Sequence, residues 1–329
     1  MKKRKLIWFI AIALVLTVTL VACTGNNGEA PTVSDTFPDK PITIVNYVAP
    51  GGAMDVTTRK FVEIAGKYTD ATFVVENRTG AGGLIAQDYV LGQAADGYRI
   101  FAATTSNIST VISGGHDVDR YIWGFDWISM IMRDPESVIT NSQNPLNDFM
   151  DIVEDAIAKD GEQIWVGPSA GGFDHVMAMK VWDAFGIEAV WIPFESGPLA
   201  MNALLGGQGV AYVGNPRDVM GRPDLINAVI ASDERLPQHP DVTTFGELGH
   251  PELDDEIMWR GFAVKKGTPQ EAIDWFSDIA QQVTEDEEWI QFFYESSIEA
   301  TNYGQEQFEE IIQRDIDDHI YYLTKFGIL

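Results

Sequence analysis

Gly167-Pro168-Ser169-Ala170-Gly171 has the G-x-S-x-G spacing that, on a tight strand-to-helix turn, presents a serine hydroxyl as a nucleophile. Acyl transfer at Ser169 needs an acid and a base later in the chain, and Asp218 followed by His239 or His250 supplies that order. Against a serine hydrolase, the loop runs on through Gly172 where an elbow has already entered its helix, and no HGG-type oxyanion segment lies upstream. Asp174 and His175 place a carboxylate beside an imidazole. Adjacent helical residues point apart, however, and no H-E-x-x-H spacing accompanies them, so His175 reads as a local hydrogen-bonding or cleft-lining group. The runs Asp254-Asp255-Glu256 and Glu285-Asp286-Glu287-Glu288 lack a calcium-loop pattern and read as solvated faces. No metal site and no cofactor is expected.

A second chemistry is anion capture. Ile42–Val48 is a β-branched run of strand length that leads through Ala49-Pro50-Gly51-Gly52 into a helical pattern near Asp55. Such a turn leaves the first N–H groups of the helix unpaired, where the helix dipole favours negative charge, and Gly51 and Gly52 let a ligand approach the main chain. An ordinary βα connection capped by Asp55 fits the same residues. Thr72–Asn77 leads to a second glycine-rich turn, Gly80-Ala81-Gly82-Gly83, whose spacing is not that of a dinucleotide site. Tyr98–Ala103 runs into Thr104-Thr105-Ser106-Asn107, polar groups at a strand's carboxyl end that either meet a ligand or cap the next helix. Arg59, Arg78 and Arg260 are the cations nearest these turns, and in so acidic a chain each is expected to pair with a neighbouring Asp or Glu.

Alternating strands and helices imply an α/β architecture with a parallel sheet covered on both faces. The second half repeats the logic: a strand at 163–166, the turn Gly167–Gly172, a helix over 173–185, and a strand near 210–213 ending in Gly214-Asn215-Pro216. Two such modules can face one another and hold a small anion by main-chain donors from both sides. Phe308, Ile311, Ile312 and Ile316 share one face of the last helix, which is therefore a packing element.

Lys2-Lys3-Arg4-Lys5 before the apolar run Leu6–Leu20 has the form of a signal peptide. The run ends Leu20-Val21-Ala22-Cys23, similar to a bacterial lipobox, so residues 1–22 are expected to be removed and Cys23 lipidated. With only 1 cysteine, no disulfide framework exists within the chain. Residues 23–37 read as a flexible tether. Four of the 22 basic residues leave with the signal, so 18 face 49 acidic ones, a net charge of −31. That charge excludes nucleic acid as a partner and leaves the lipid as the membrane anchor.

Phe37-Pro38-Asp39-Lys40-Pro41, Ala49-Pro50-Gly51-Gly52 with Asp55 and Arg59, Val74-Val75-Glu76-Asn77-Arg78 with Gly80–Gly83, Asp96-Gly97-Tyr98, Leu204–Gln208 and Trp259-Arg260-Gly261-Phe262 with Lys266-Gly267-Thr268-Pro269 follow in order. Together they resemble the tripartite tricarboxylate transporter receptor family, the Bug- and TctC-like solute-binding proteins, over essentially the whole mature chain. The resemblance implies a periplasmic-binding-protein-like (type II) fold: two doubly wound α/β domains, residues 38–133 plus 264–329 and residues 134–263, joined by two crossing strands around a cleft. It implies a monomeric, extracytoplasmic receptor that closes on a small organic carboxylate and delivers it to two integral-membrane subunits. Carried over by position, the ligand-binding residues are Ala49, Gly51, Gly52, Ala53 and Asp55 on one side and Ser169, Gly171, Gly172, Phe173 and His175 on the other, with Thr105, Ser106 and Asn215 behind them. A sensor that presents its ligand to a membrane kinase shares the same cleft. Where the family commonly has Pro-Tyr-Lys-Gly, this chain has Pro193-Phe194-Glu195-Ser196-Gly197, and Phe173 stands where a small polar residue is common. Both departures point to a monocarboxylate, or a carboxylate with an apolar or aromatic body.

Overall fold

The computed structural model describes residues 37–329; the signal peptide, Cys23 and the tether up to residue 36 lie outside the described residues. β1 (Ile42–Asn46) is buried along its length, with β-branched side chains at 42–45 pointing alternately to both faces, as a strand covered on both sides requires. It pairs in parallel with β2 (Phe73–Asn77) and β3 (Arg99–Thr104). These strands feed α1 (Ala53–Ala65), α2 (Leu84–Leu91) and α3 (Thr105–Ser113). After the short α4 (Val118–Tyr121), β4 (Phe125–Pro135) completes the outward path.

The second sheet takes β5 (Ser137–Asn141), β6 (Ile164–Pro168), β7 (Val190–Phe194), β8 (Ala211–Gly214) and β9 (Leu225–Ile230) in the order β7-β6-β8-β5-β9. Its helices are α5 (Phe149–Lys159), α6 (Phe173–Phe185) and α7 (Gly197–Leu205). The chain returns on β10 (Ile257–Lys265), followed by α8 (Gln270–Thr284), α9 (Glu287–Tyr294), β11 (Glu299–Gly304) and α10 (Gln305–Lys325). The first sheet has the order β11-β4-β10-β3-β1-β2.

Neither sheet is purely parallel, which corrects the sequence expectation. β10 runs antiparallel to β3 and β4, and β5 antiparallel to β8 and β9. The reason is topological: a strand that returns from the other lobe enters the first sheet from the opposite end. The two crossings lie side by side, where the Glu136 N–H donates to the Glu256 carbonyl at 3.0 Å. Residues 257–263 are hydrogen-bonded within the first sheet rather than the second.

α10 packs against both lobes. Phe308 meets Trp127 and Trp259 in the first sheet, and Phe326, just past the helix, meets Trp182 of α6. Phe308, Ile312 and Ile316 are buried as their spacing predicts, and Ile311 is half-buried beside them. The acidic runs differ from expectation. Asp254 and Glu256 are buried, the first accepting the Gly246 N–H and the second paired with Lys180, while Asp286 caps α9 by accepting the Glu288 N–H. Among the described residues no helix is long and apolar enough to cross a membrane.

Candidate functional site

The glycine turns before α1 and α6 are built alike. Gly51 and Gly171 have φ of 82° and 70°, a left-handed backbone that costs a glycine little, and each is followed by a glycine at the N-cap. In both, the third helical residue folds back on the turn: Asp55 Oδ2 accepts the Gly51 N–H at 2.9 Å, and His175 Nδ1 accepts the Gly171 N–H at 3.0 Å. These two N–H groups are thus already used, and the helix-start donors left without a main-chain partner are those of residues 53–55 on one side and 173–175 on the other, since the first helical bonds are made by Val56 and Val176.

Asp55 is a buried linchpin of its turn. It also accepts from Asn77 Nδ2 and Arg59 Nε, each at 2.9 Å. Burial works against its charge, but Arg59, the Gly51 N–H and Asn77 outweigh burial and hold its carboxyl below the usual range. Burial holds His175 down at about 4, so its ring is neutral at physiological pH, stacked on Trp191 with centroids 4.7 Å apart.

A cleft of about 710 Å³ opens between the lobes. On the second-lobe side it is lined by Ser169, Gly172, Phe173 and Asp174, and on the other by Ser106, Ser109, Thr110 and Ser113 of α3, with Leu84, Met258 and Ile328 as apolar walls. Of the residues expected at the site, Ser106, Ser169, Gly172 and Phe173 line this cleft, and Gly171 lies against it, a Cβ built there meeting Ser113 at 3.1 Å. Ala49, Gly51, Gly52, Ala53 and Asp55 do not line it. Thr105 is fully buried and accepts the Trp259 N–H through its hydroxyl, and Asn215 donates to the Pro135 carbonyl and to Glu136 at the crossing. Thr104 and Asn107 close a capping box, so the hydroxyl cluster after β3 serves both roles weighed for it: cap at 104 and 107, cleft wall at 106. The α3 stripe continuing through Ser109, Thr110 and Ser113 escaped the sequence reading. Its i, i+3, i+4, i+7 spacing places small hydroxyls on one helix face and was the available signal.

No histidine is hydrogen-bonded to Ser169: its N–H donates to the Phe194 carbonyl and its carbonyl accepts from Trp191 Nε1, while His250 bonds Glu252 and Asp218 accepts from Tyr212. The G-x-S-x-G turn is therefore a shaped loop without a base in place. Among the described residues no group of three or more His, Cys, Asp or Glu is placed to hold a metal.

From Asp174 on the cleft wall an acidic group extends to Asp134 and Glu136 at the crossing. Burial pushes Asp174 up to about 7, helped by Asp218, and burial raises Asp134 to about 6 and Glu136 well above its ordinary range. Because folded Asp174 binds its proton more tightly than the unfolded chain, the stability it contributes is complete below the ordinary 3.8 and is lost as pH rises through about 7. Asp174→Asn cannot ionise. Its stability relative to wild type is expected to improve by on the order of 2 kcal/mol between pH 5 and pH 8 in urea titrations, and a difference independent of pH contradicts this.

Residues 57–327 match the profile of the tripartite tricarboxylate transporter family receptor. The protein BugT of Bordetella pertussis is 28% identical over 252 residues, covering 74% of this chain and 76% of BugT. A TctC solute-binding protein from Polaromonas superposes with a TM-score of 0.75 at 24% identity, covering 89% of this chain and 100% of that one. MatC of Rhodopseudomonas palustris, solved with bound malate, superposes with a TM-score of 0.71 at 18% identity, covering 87% of this chain and 100% of its own. The two-lobed α/β architecture is thus that of the type II periplasmic-binding proteins, and the chain belongs to the tripartite tricarboxylate transporter receptor family.

Proposed function

We propose that this protein is an extracytoplasmic receptor, lipidated at Cys23, that captures a small organic carboxylate by closure of its lobes and hands it to two integral-membrane subunits. Ligand held by both lobes favours the closed state because each lobe contributes donors only on closure. The observation that carries this reading is the interlobe cleft of about 710 Å³, walled by the α3 hydroxyls on one side and the N-terminal turn of α6 on the other. The malate held by MatC supports a carboxylate as the class of ligand. Phe173, Leu84, Met258 and Ile328 give the cleft apolar walls, which favours an acid with an apolar body over a citrate-like one.

The test is a thermal-shift screen of the mature protein against organic acids, followed by calorimetry and by native mass spectrometry of the protein as purified. Raised melting temperature with at least one acid bearing an apolar body, and a retained small acid, are expected. A screen in which no carboxylate raises the melting temperature overturns the reading. Cys23→Ala, expressed with its signal, is expected to move the protein from the membrane fraction to the soluble extracytoplasmic fraction, as fractionation and immunoblotting would read.

A further inference from the structure

The two walls of the interlobe cleft offer opposite halves of a hydrogen bond. On the second-lobe side the N–H groups of residues 173–175 have no main-chain acceptor and are donors. On the α3 side the hydroxyl protons are already spent: Thr110 Oγ1 donates to the Ser106 carbonyl at 2.9 Å, and Ser113 Oγ to the Ser109 carbonyl at 2.7 Å. Ser109 Oγ lies 2.7 Å from His319 Nε2. His319 Nδ1 faces the Asp315 carbonyl at 2.7 Å, and a carbonyl only accepts. Burial holds this imidazole neutral, so Nδ1 carries its one proton and Nε2 accepts from Ser109. Ser109, Thr110 and Ser113 therefore have only lone pairs left to offer the cleft.

Asp174 adds a carboxyl to the same cleft from the first turn of α6. It is 8% exposed, and among the described residues its carboxyl has no side-chain partner, only its own main-chain N–H. Arg217, the cation whose charge reaches it, is bound to Asp134 at 2.6 Å. A carboxyl this deep without a cation of its own is costly to ionise, and burial holds its pKa up at about 7. A ligand carboxylate on the N–H groups of the same turn meets Asp174 as a like charge, whereas an ammonium beside that carboxylate turns the repulsion into a pair.

We propose, building on the carboxylate-receptor reading above, that Asp174 is the specificity-determining residue that receives a ligand ammonium, and that the ligand is an α-amino acid with an apolar side chain. The N–H donors for the carboxylate and the carboxyl for the ammonium come from one helix turn, so the two charged groups of the ligand must be neighbours, as they are on a single α-carbon. The accepting hydroxyls of α3 take further N–H protons of the ammonium, and Leu84, Phe173, Met258 and Ile328 take the side chain. Neutral overall, such a ligand also reaches a strongly acidic protein without the repulsion that a lone carboxylate meets.

L-leucine and L-phenylalanine, their ammonium-free counterparts isocaproate and hydrocinnamate, and L-leucinamide are the probes, applied by calorimetry and thermal shift to the wild type, Asp174→Asn and Asp174→Ala. The wild type is expected to bind at least one of the two amino acids, to bind its counterpart roughly tenfold to a hundredfold more weakly, and to ignore leucinamide. In both variants the amino acid is expected to lose that advantage, falling to within about threefold of its counterpart. A counterpart that matches the amino acid on the wild type overturns the inference alone, whether or not the variants fold, and so does an advantage that survives in both variants. Failure of both variants to fold overturns it too, because Asp174 would then serve the fold rather than a ligand. Uptake of another carboxylate with neither amino acid bound also overturns the inference alone. A wild type that takes up no carboxylate at all overturns the receptor reading and this inference with it.

Discussion

Trp259→Ala is expected to lower the unfolding free energy by about 4–5 kcal/mol. Trp259 is fully buried on β10, the strand that returns from the second lobe. Its indole meets Trp127 and Phe308 edge to face, with centroids 5.8 and 4.9 Å away, so one truncation empties the joint between the first sheet and α10. The indole N–H also donates to Asp315 Oδ2 at 2.7 Å, and its removal leaves that buried carboxyl without its donor. Urea unfolding followed by far-ultraviolet circular dichroism measures the change. A loss under about 2 kcal/mol would show that α10 is not anchored through this contact. Trp259→Phe keeps most of the packing, and its smaller loss would separate the ring from the hydrogen bond.

The second large effect is at Lys180. Its ammonium lies 2.6 Å from Glu256 and 2.5 Å from Asp318, joining α6 to α10 and to the residue just before β10. Burial works against its charge, but the two carboxylates more than offset burial and hold its pKa above the ordinary value. The stability from that raised pKa is complete below the ordinary 10.5 and lost only above the folded value, so it is present throughout the neutral range. Lys180→Met leaves two acids facing each other without their cation and is expected to cost about 3–5 kcal/mol at pH 7. A deficit under about 1 kcal/mol at pH 7 would contradict this account. Hydrogen exchange offers a second readout: the amides of α6 and α10 should lose protection together, since the ammonium is their shared tie.

The residues expected at the site divide by how local their interactions are. The turns at Gly51 and Gly171 are legible because strand, glycine and helix start are contiguous, and Asp55 and His175 act on a group only four residues away. What those side chains do was not legible. Both accept a hydrogen bond from their own turn, which removes two of the main-chain donors that the sequence reading assigns to a ligand. Thr105 and Asn215 were drawn to the site by their polarity, but their partners, Trp259 and Glu136, are 154 and 79 residues away. The acidic run at 254–256 has a solvated composition, and only the distant Lys180 makes burial of Glu256 tolerable.

The sequence by itself determined the α/β class, the strand–turn–helix units, the packing face of the last helix and the family, because each is written in neighbours along the chain or in a pattern of such neighbours. Only the tertiary structure decided the rest: mixed sheets where the chain returns from the other lobe, an α10 that ties both lobes, a cleft walled by α3, and a lysine buried between two acids. Each depends on which segments meet across 50 to 200 residues, and the charge or burial of a side chain is a property of that meeting.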